Sequence, residues 1–159
     1  MRNALSWLVL AAALAACATG PTLTPQERLA LYREHAGAPV LSFRLDHIGG
    51  MHNWTALGDQ SLVIWTSSNR GHLLELRSRC PGMMMSPRLS ITNTMGQVTA
   101  RMDRVVPRTA AGPTGSSCRI ESIRPIDGRA LRDAKRELRE ANYIELNAAP
   151  PEAPDTPSD

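Results

Sequence analysis

Aromatic side chains are scarce in this chain. Phe43 is the single phenylalanine, and Phe, Trp and Tyr together make up 4% of 159 residues. A small chain so poor in large rings has a limited core and needs another source of stability. Lysine is scarcer still: Lys135 stands alone, and arginine supplies the rest of the positive charge. Skewed genome composition gives that bias as readily as selection for phosphate or carboxylate binding. The net excess is only +3, so a solvated surface accounts for it as well as a basic face for lipid headgroups or an acidic protein does. There is no run of about 20 apolar residues, which excludes a comfortable membrane-spanning helix. There is no H-E-x-x-H metal signature, no G-x-S-x-G nucleophile elbow and no internal repeat, so neither a zinc protease nor an α/β-hydrolase pattern is present. Cysteine occurs three times, at Cys17, Cys80 and Cys118.

What is present begins at the amino terminus. Arg2 gives a short positive start, and residues 5–14 form an apolar run broken only by Ser6. Small residues follow, as in a secretory signal. Leu14-Ala15-Ala16-Cys17 resembles the bacterial lipobox. The resemblance implies transfer of diacylglycerol to the Cys17 sulfur, removal of residues 1–16 as a lipoprotein signal peptide, and acylation of the new amino terminus. The alternative is an ordinary signal peptide cut elsewhere, with Cys17 incidental. Several acyl chains on one residue anchor stably where a single chain does not. Ala18 rather than Asp follows the cysteine, which by resemblance to enterobacterial sorting implies the outer membrane, facing the periplasm. Residues 17–23 are then a tether reaching at most about 20 Å beyond the lipid. Partners follow from the address. They are the membrane, through lipid on Cys17, and another envelope protein as a candidate; nucleic acid is not one.

With Cys17 taken by lipid, Cys80 and Cys118 are an even pair in an oxidising compartment, and a disulfide is expected. It would contribute about 3–4 kcal/mol in the chain-entropy model. Hydropathy patterning then gives an α+β domain over residues 24–146. Thr24-Pro25-Gln26-Glu27 opens a helix with a capping box, and Leu29, Tyr32 and Ala36 share one face. Strands are expected at 40–45, 52–58, 61–66 and 72–77. The continuous apolar run at 61–66 suggests cover on both sides. A hairpin is expected over 88–103, turning at Asn93 to Gly96, with Val98, Ala100 and Met102 on its apolar side. Residues 108–117 read as a flexible loop and 118–126 as a final strand. Asp127 caps a closing helix from Gly128 to about Asn142, amphipathic and basic. Residues 147–159 are a disordered Pro-rich tail. The sum is about six short antiparallel strands in a bent sheet or small open barrel, flanked by an N-terminal and a C-terminal helix.

Several weak motifs follow in order: Trp54-Thr55-Ala56-Leu57-Gly58-Asp59, Leu62-Val63-Ile64-Trp65-Thr66, Leu73-Leu74-Glu75-Leu76 and Cys80. Later come the stretch from Gly96 to Val105 and the stretch from Cys118 to Asp127. With the lipobox they resemble small proteobacterial lipoproteins gathered as a domain of unknown function, over residues 31–138. The resemblance implies no catalytic residue, and it supports pairing Cys80 with Cys118. Relatives carry other apolar residues where this chain has Met83, Met84 and Met85.

Three kinds of site compete. Soft sulfur and imidazole suit copper, and Met83 and Met85 with His72 are the candidate ligands if they share a face. Against this, consecutive methionines point to opposite sides of a strand, and methionine fills irregular cores well. A small periplasmic hydrolase would need His47 or His52 to converge with Asp and Ser, and the adjacent pair Asp46-His47 is not a dyad. The third candidate is a recognition surface at Trp54, Trp65 and Arg70, since Trp and Arg dominate binding hot spots; the preferred alternative buries both tryptophans in the core. Asp59 and Asp103 read as turn-fixing residues. The reading is a lipid-anchored, non-catalytic binding or scaffolding module that uses no cofactor.

Overall fold

The computed structural model describes residues 23–45, 54–113 and 116–147, with side chains as far as 141. The signal sequence, Cys17, the tether up to residue 22, Asp46, His47, His52 and the tail from residue 148 lie outside the described residues. The chain divides into two units. One, residues 23–136, holds the sheet. Of the other, made of 1–22 and 137–159, the described part is the helical stretch 137–147.

Helix α1, Pro25–Glu34, starts as its sequence dictates. The Thr24 hydroxyl accepts from the Glu27 amide at 3.3 Å, and the Glu27 carboxylate accepts from the Thr24 amide at 2.7 Å. That second bond favours the charged carboxylate and lowers the Glu27 pKa. The helix buries Tyr32.

Among the described residues nine strands follow: β1 Ser42–Arg44, β2 Trp54–Ala56, β3 Ser61–Trp65, β4 Arg70–Leu76, β5 Arg88–Ile91, β6 Gln97–Thr99, β7 Arg104–Thr109, β8 Gly112–Pro113 and β9 Cys118–Asp127. Seven of them form one antiparallel, open sheet in the order β2-β3-β4-β9-β7-β5, with β8 paired to β7; β1 and β6 pair separately. Helix α2, Gly128–Asn147, closes the described chain. The Asp127 carboxylate accepts from the Arg129 and Ala130 amides, and those bonds lower its pKa.

Alternation sorts the side chains of β3 and β4 between two cores. Leu62, Ile64, Leu74 and Leu76 join Phe43, Met83, Leu89, Ile91, Val98, Val105 and both half-cystines. Val63 and Leu73 join Tyr32, Leu57, Ile126 and Leu131, the cluster roofed by the helices. The expectation that 61–66 is covered on both sides holds, since residues 61 to 64 are all buried. Because β5, β7 and β9 contribute to the same core as β3 and β4, the sheet curls around it. A register shift against β4 leaves Glu121 unopposed in β9, and this bulge puts Ile120 and Ile123, three residues apart, on one side. Cys80 and Cys118 form the expected disulfide, with Cα atoms 5.6 Å apart. It ties the turn after β4 to the start of β9.

Several expectations are corrected. The hairpin over 88–103 does not form: β5 pairs with β7, and β6 pairs with β1. Asp103 is the physical cause. Its buried carboxylate accepts from the Thr92 hydroxyl and the Thr99 amide, both at 2.7 Å, and folds 99–103 into a turn with Arg101 at φ 66°. Met102 is therefore 75% exposed instead of facing the core, and a new strand starts at Arg104. The tight turn before β6 lies one residue later than expected. Thr94 and Gln97 exchange backbone hydrogen bonds around Met95 and Gly96, both at positive φ, while Asn93 accepts from the Gly96 amide. The segment 108–117 is likewise not all loop, because β7 runs to Thr109 and turns back as β8. The closing helix also runs five residues past Asn142.

Candidate binding groove

Strand β2 forms the outer edge of the main sheet among the described residues. Beside it lies an open groove of about 610 Å³ lined by Tyr32, Trp54, Thr55, Trp65, Ser67, Ser68, Gly128, Leu131, Arg132 and Lys135. Both tryptophans are half-buried. Trp54 packs against the larger core and Trp65 against the helix-covered one. Neither the recognition reading nor the core reading is complete by itself, because each indole anchors in a core and also lines the groove.

The Trp65 ring is fixed on three sides. Its Nε1–H donates to the Thr55 hydroxyl at 3.0 Å. A Cβ on Gly71, its cross-strand partner, would lie 2.8 Å from the Trp65 ring, and one on Gly128 would lie 3.1 Å from it. At Gly71 the indole occupies the space a side chain would take, and at Gly128 a side chain would fit only with a small shift of its neighbours. Lys135 donates to the Tyr32 hydroxyl at 2.8 Å, with its Nζ 4.5 Å from the centroid of that ring. Arg132 donates to the Ser68 carbonyl and to the Asn69 side chain, which pins the β3–β4 turn to α2. The groove thus combines two ammonium or guanidinium groups, four hydroxyl-bearing side chains and three aromatic rings, Tyr32 counting as both hydroxyl and ring. Among the described residues no carboxylate lines it.

These features sit within a pattern that reaches across the chain. A model for a family of unknown function, DUF6491, matches residues 1–142. The chain belongs to that family. No curated protein and no solved structure matches it. The matched stretch is longer than the 31–138 over which the sequence resemblance was read. The DUF6491 match names no activity, so the roles of individual residues rest on their geometry.

That geometry separates several residues grouped in sequence. Arg70 does not join the tryptophans. Gly71 sits opposite Trp65, so Arg70, one residue out of phase, is aimed elsewhere by the pleat. It lines a second open depression with Glu34, His35, Asp127 and Arg129. Met83 and Met85 also part. They occupy a 3-10 turn, Met83–Met85, in which successive side chains splay by a third of a turn. Met83 is fully buried in the core, whereas Met85 is 90% exposed, so they do not share a face. His72, the third candidate ligand, stacks on Phe43 with ring centroids 4.2 Å apart. Burial, and secondarily the charge of Arg70, lower its pKa. Among the described residues no three His, Cys, Asp or Glu side chains cluster with metal-binding geometry. Tyr32, Arg132 and Lys135 were not singled out as site residues from sequence. The isolation of Lys135 as the only lysine was the one available signal.

Proposed function

We propose that this DUF6491 member is a lipid-anchored envelope protein whose domain acts as a non-catalytic binding module. In this reading Cys17 carries the lipid, and the domain stands at the periplasmic side of the outer membrane. The ligand is a small anion carrying a flat apolar or sugar ring. One observation carries the reading: the groove presents aromatic rings and hydroxyls around Lys135 and Arg132, and no carboxylate is among its described lining residues. Lys135 makes no ion pair among the described residues, so two of its three donors are available to an acceptor. A bound anion gains a charge-assisted hydrogen bond, and stacking on an indole adds ring contact. Binding is favoured over hydrolysis because no histidine and no carboxylate lines the groove to serve as a general base.

Titration with benzoate, cyclohexanol and acetate, followed through the indole N–H resonances of the full chain, tests the groove. Benzoate moves the Trp54 and Trp65 signals and the other two do not. Lys135→Gln weakens benzoate binding by roughly ten-fold, as loss of a hydrogen bond to a charged group does. Indoles unmoved by benzoate would defeat the groove reading. The anchor has a separate test. Cys17→Ser shifts the protein from the membrane to the soluble fraction of cells, and unchanged fractionation removes the lipid from the proposal.

A further inference from the structure

Away from the groove, toward the β5 edge of the sheet, strand pairing sets arginines against arginines. In the β5–β7 ladder Arg88 stands opposite Arg108, and in the β7–β9 ladder Arg104 stands opposite Arg119. Alternation fixes which way they face. Leu89, Ile91, Val105 and Cys118 are buried in the larger core, so the residues between them project from the outer side of the sheet. Arg88 and Arg108 are exposed, and Arg104 and Arg119 are partly so. Ser90 and Val106, opposite each other, lie between the two arginine pairs.

Like charges directly opposite one another destabilise a sheet. Two such pairs on one outward surface oppose folding, so their presence calls for a role outside it. Nearby acids do not relieve them. Glu121 on β9 pairs with Arg101 at 3.4 Å, and the Asp103 carboxylate is turned inward to Thr92 and Thr99. Arg108 also donates to the Ser90 hydroxyl at 2.7 Å, which holds its guanidinium along the surface. Among the described residues none of the four makes an ion pair. Guanidinium is the cation best shaped to receive phosphate oxygens in a forked geometry.

We propose that this arginine face docks on anionic lipid headgroups of a membrane. The choice of a membrane over an acidic protein rests on the proposed anchor: a tether of a few residues holds the domain against headgroups, where each basic side chain contributes. Among the described residues no large apolar side chain on this face calls for burial against a protein.

The full chain is mixed with phosphatidylcholine vesicles and with vesicles that also contain phosphatidylglycerol, then sedimented. Because wild type and variants carry the same amino terminus, differences between them report the face. Wild type binds the anionic vesicles more tightly, by roughly five-fold for each engaged arginine, and loses the excess as salt rises. Arg108→Gln with Arg119→Gln removes about 25-fold of that preference on the same scale, while Arg108→Lys with Arg119→Lys retains most of it. An intact circular dichroism spectrum for both variants excludes unfolding, and Arg88→Gln with Arg104→Gln repeats the test on the other member of each pair. Equal binding of wild type and glutamine variants to anionic vesicles overturns the proposal, as does an excess that salt leaves unchanged. Crosslinking that captures an acidic protein through this face, without vesicle preference, also overturns it. Cys17→Ser fails or succeeds in cell fractionation independently of the vesicle result, so loss of the anchor and loss of the face are distinguishable.

Discussion

The two sides of the β3–β4 hairpin are covered differently. One side is sealed by β1, β5, β6, β7, the buried Met83 and the disulfide. The other is roofed by α1 and the first turns of α2, has a smaller buried cluster, and opens into the groove where the roof stops at the edge strand. A chain with few rings concentrates its stability on the first side and leaves two of its rings half-buried along the groove. Met83 and the disulfide fill the sealed core beside Phe43, and both tryptophans remain available to line the groove.

The largest expected effect breaks the sealed side. Cys80→Ala with Cys118→Ala frees a loop of 38 residues of sequence separation and lowers stability by about 4 kcal/mol, read from urea denaturation against wild type. Met83→Ala removes a fully buried thioether and costs about 3 kcal/mol in the same assay. Met85→Ala, two residues on and exposed, stays within about 0.5 kcal/mol. Equal effects at the two methionines would contradict the inside–outside split of the 3-10 turn.

Much of this contrast was legible in the sequence, for reasons local to particular residues. The capping box at Thr24 and Glu27 and the cap at Asp127 act within four residues, so both helix starts were readable. The run at 61–66 named a strand covered twice because a continuous apolar stretch has no solvated side. Strand pairing was less legible. Adjacent runs at 88–91 and 97–102 look like a hairpin, yet Asp103 reverses the chain with hydrogen bonds to Thr92 and Thr99 that no periodicity announces. The groove was half legible. Trp54 and Trp65 stood out by type, but Lys135 and Tyr32 come from helices more than 100 residues apart in sequence, and only folding brings them together.

The next effect falls on the open side. Gly71→Ala places a methyl 2.8 Å from the Trp65 ring and 3.0 Å from Val63, and one of them must give. The expected cost is about 1–3 kcal/mol, with benzoate binding weakened as the indole shifts. Stability lost without any change in the Trp65 resonance would show that strain relaxes into the sheet instead of the groove.

A smaller effect returns to the sealed side through pH. The His72 pKa is lowered on folding from its ordinary 6.5, so the folded state binds fewer protons than the unfolded one between the two values. Stability is then complete above 6.5 and falls as pH drops through that window toward the folded pKa. His72→Phe keeps a ring on Phe43 and removes the titration, so the variant's stability curve is flatter over this window than wild type's. Identical slopes would mean that the imidazole is protonated as readily inside as outside.

The smallest effect concerns the clamp between the roof and the sheet. Arg33 on α1 donates to the Glu75 carboxylate on β4 at 2.7 Å, and the Ser122 hydroxyl on β9 donates to the same carboxylate. Arg33 is half-exposed, with a side-chain exposure of 51% against 26% for Glu75, so solvent screens the pair. A double-mutant cycle with Arg33→Ala and Glu75→Ala returns a coupling of about 0.5 kcal/mol that shrinks in high salt. Apolar packing of Tyr32 and Leu131 should hold the roof with or without this pair. A coupling several times larger would shift the burden from the small cluster to the ion pair, and the open side would then be held by charge where the sealed side is held by sulfur and apolar packing.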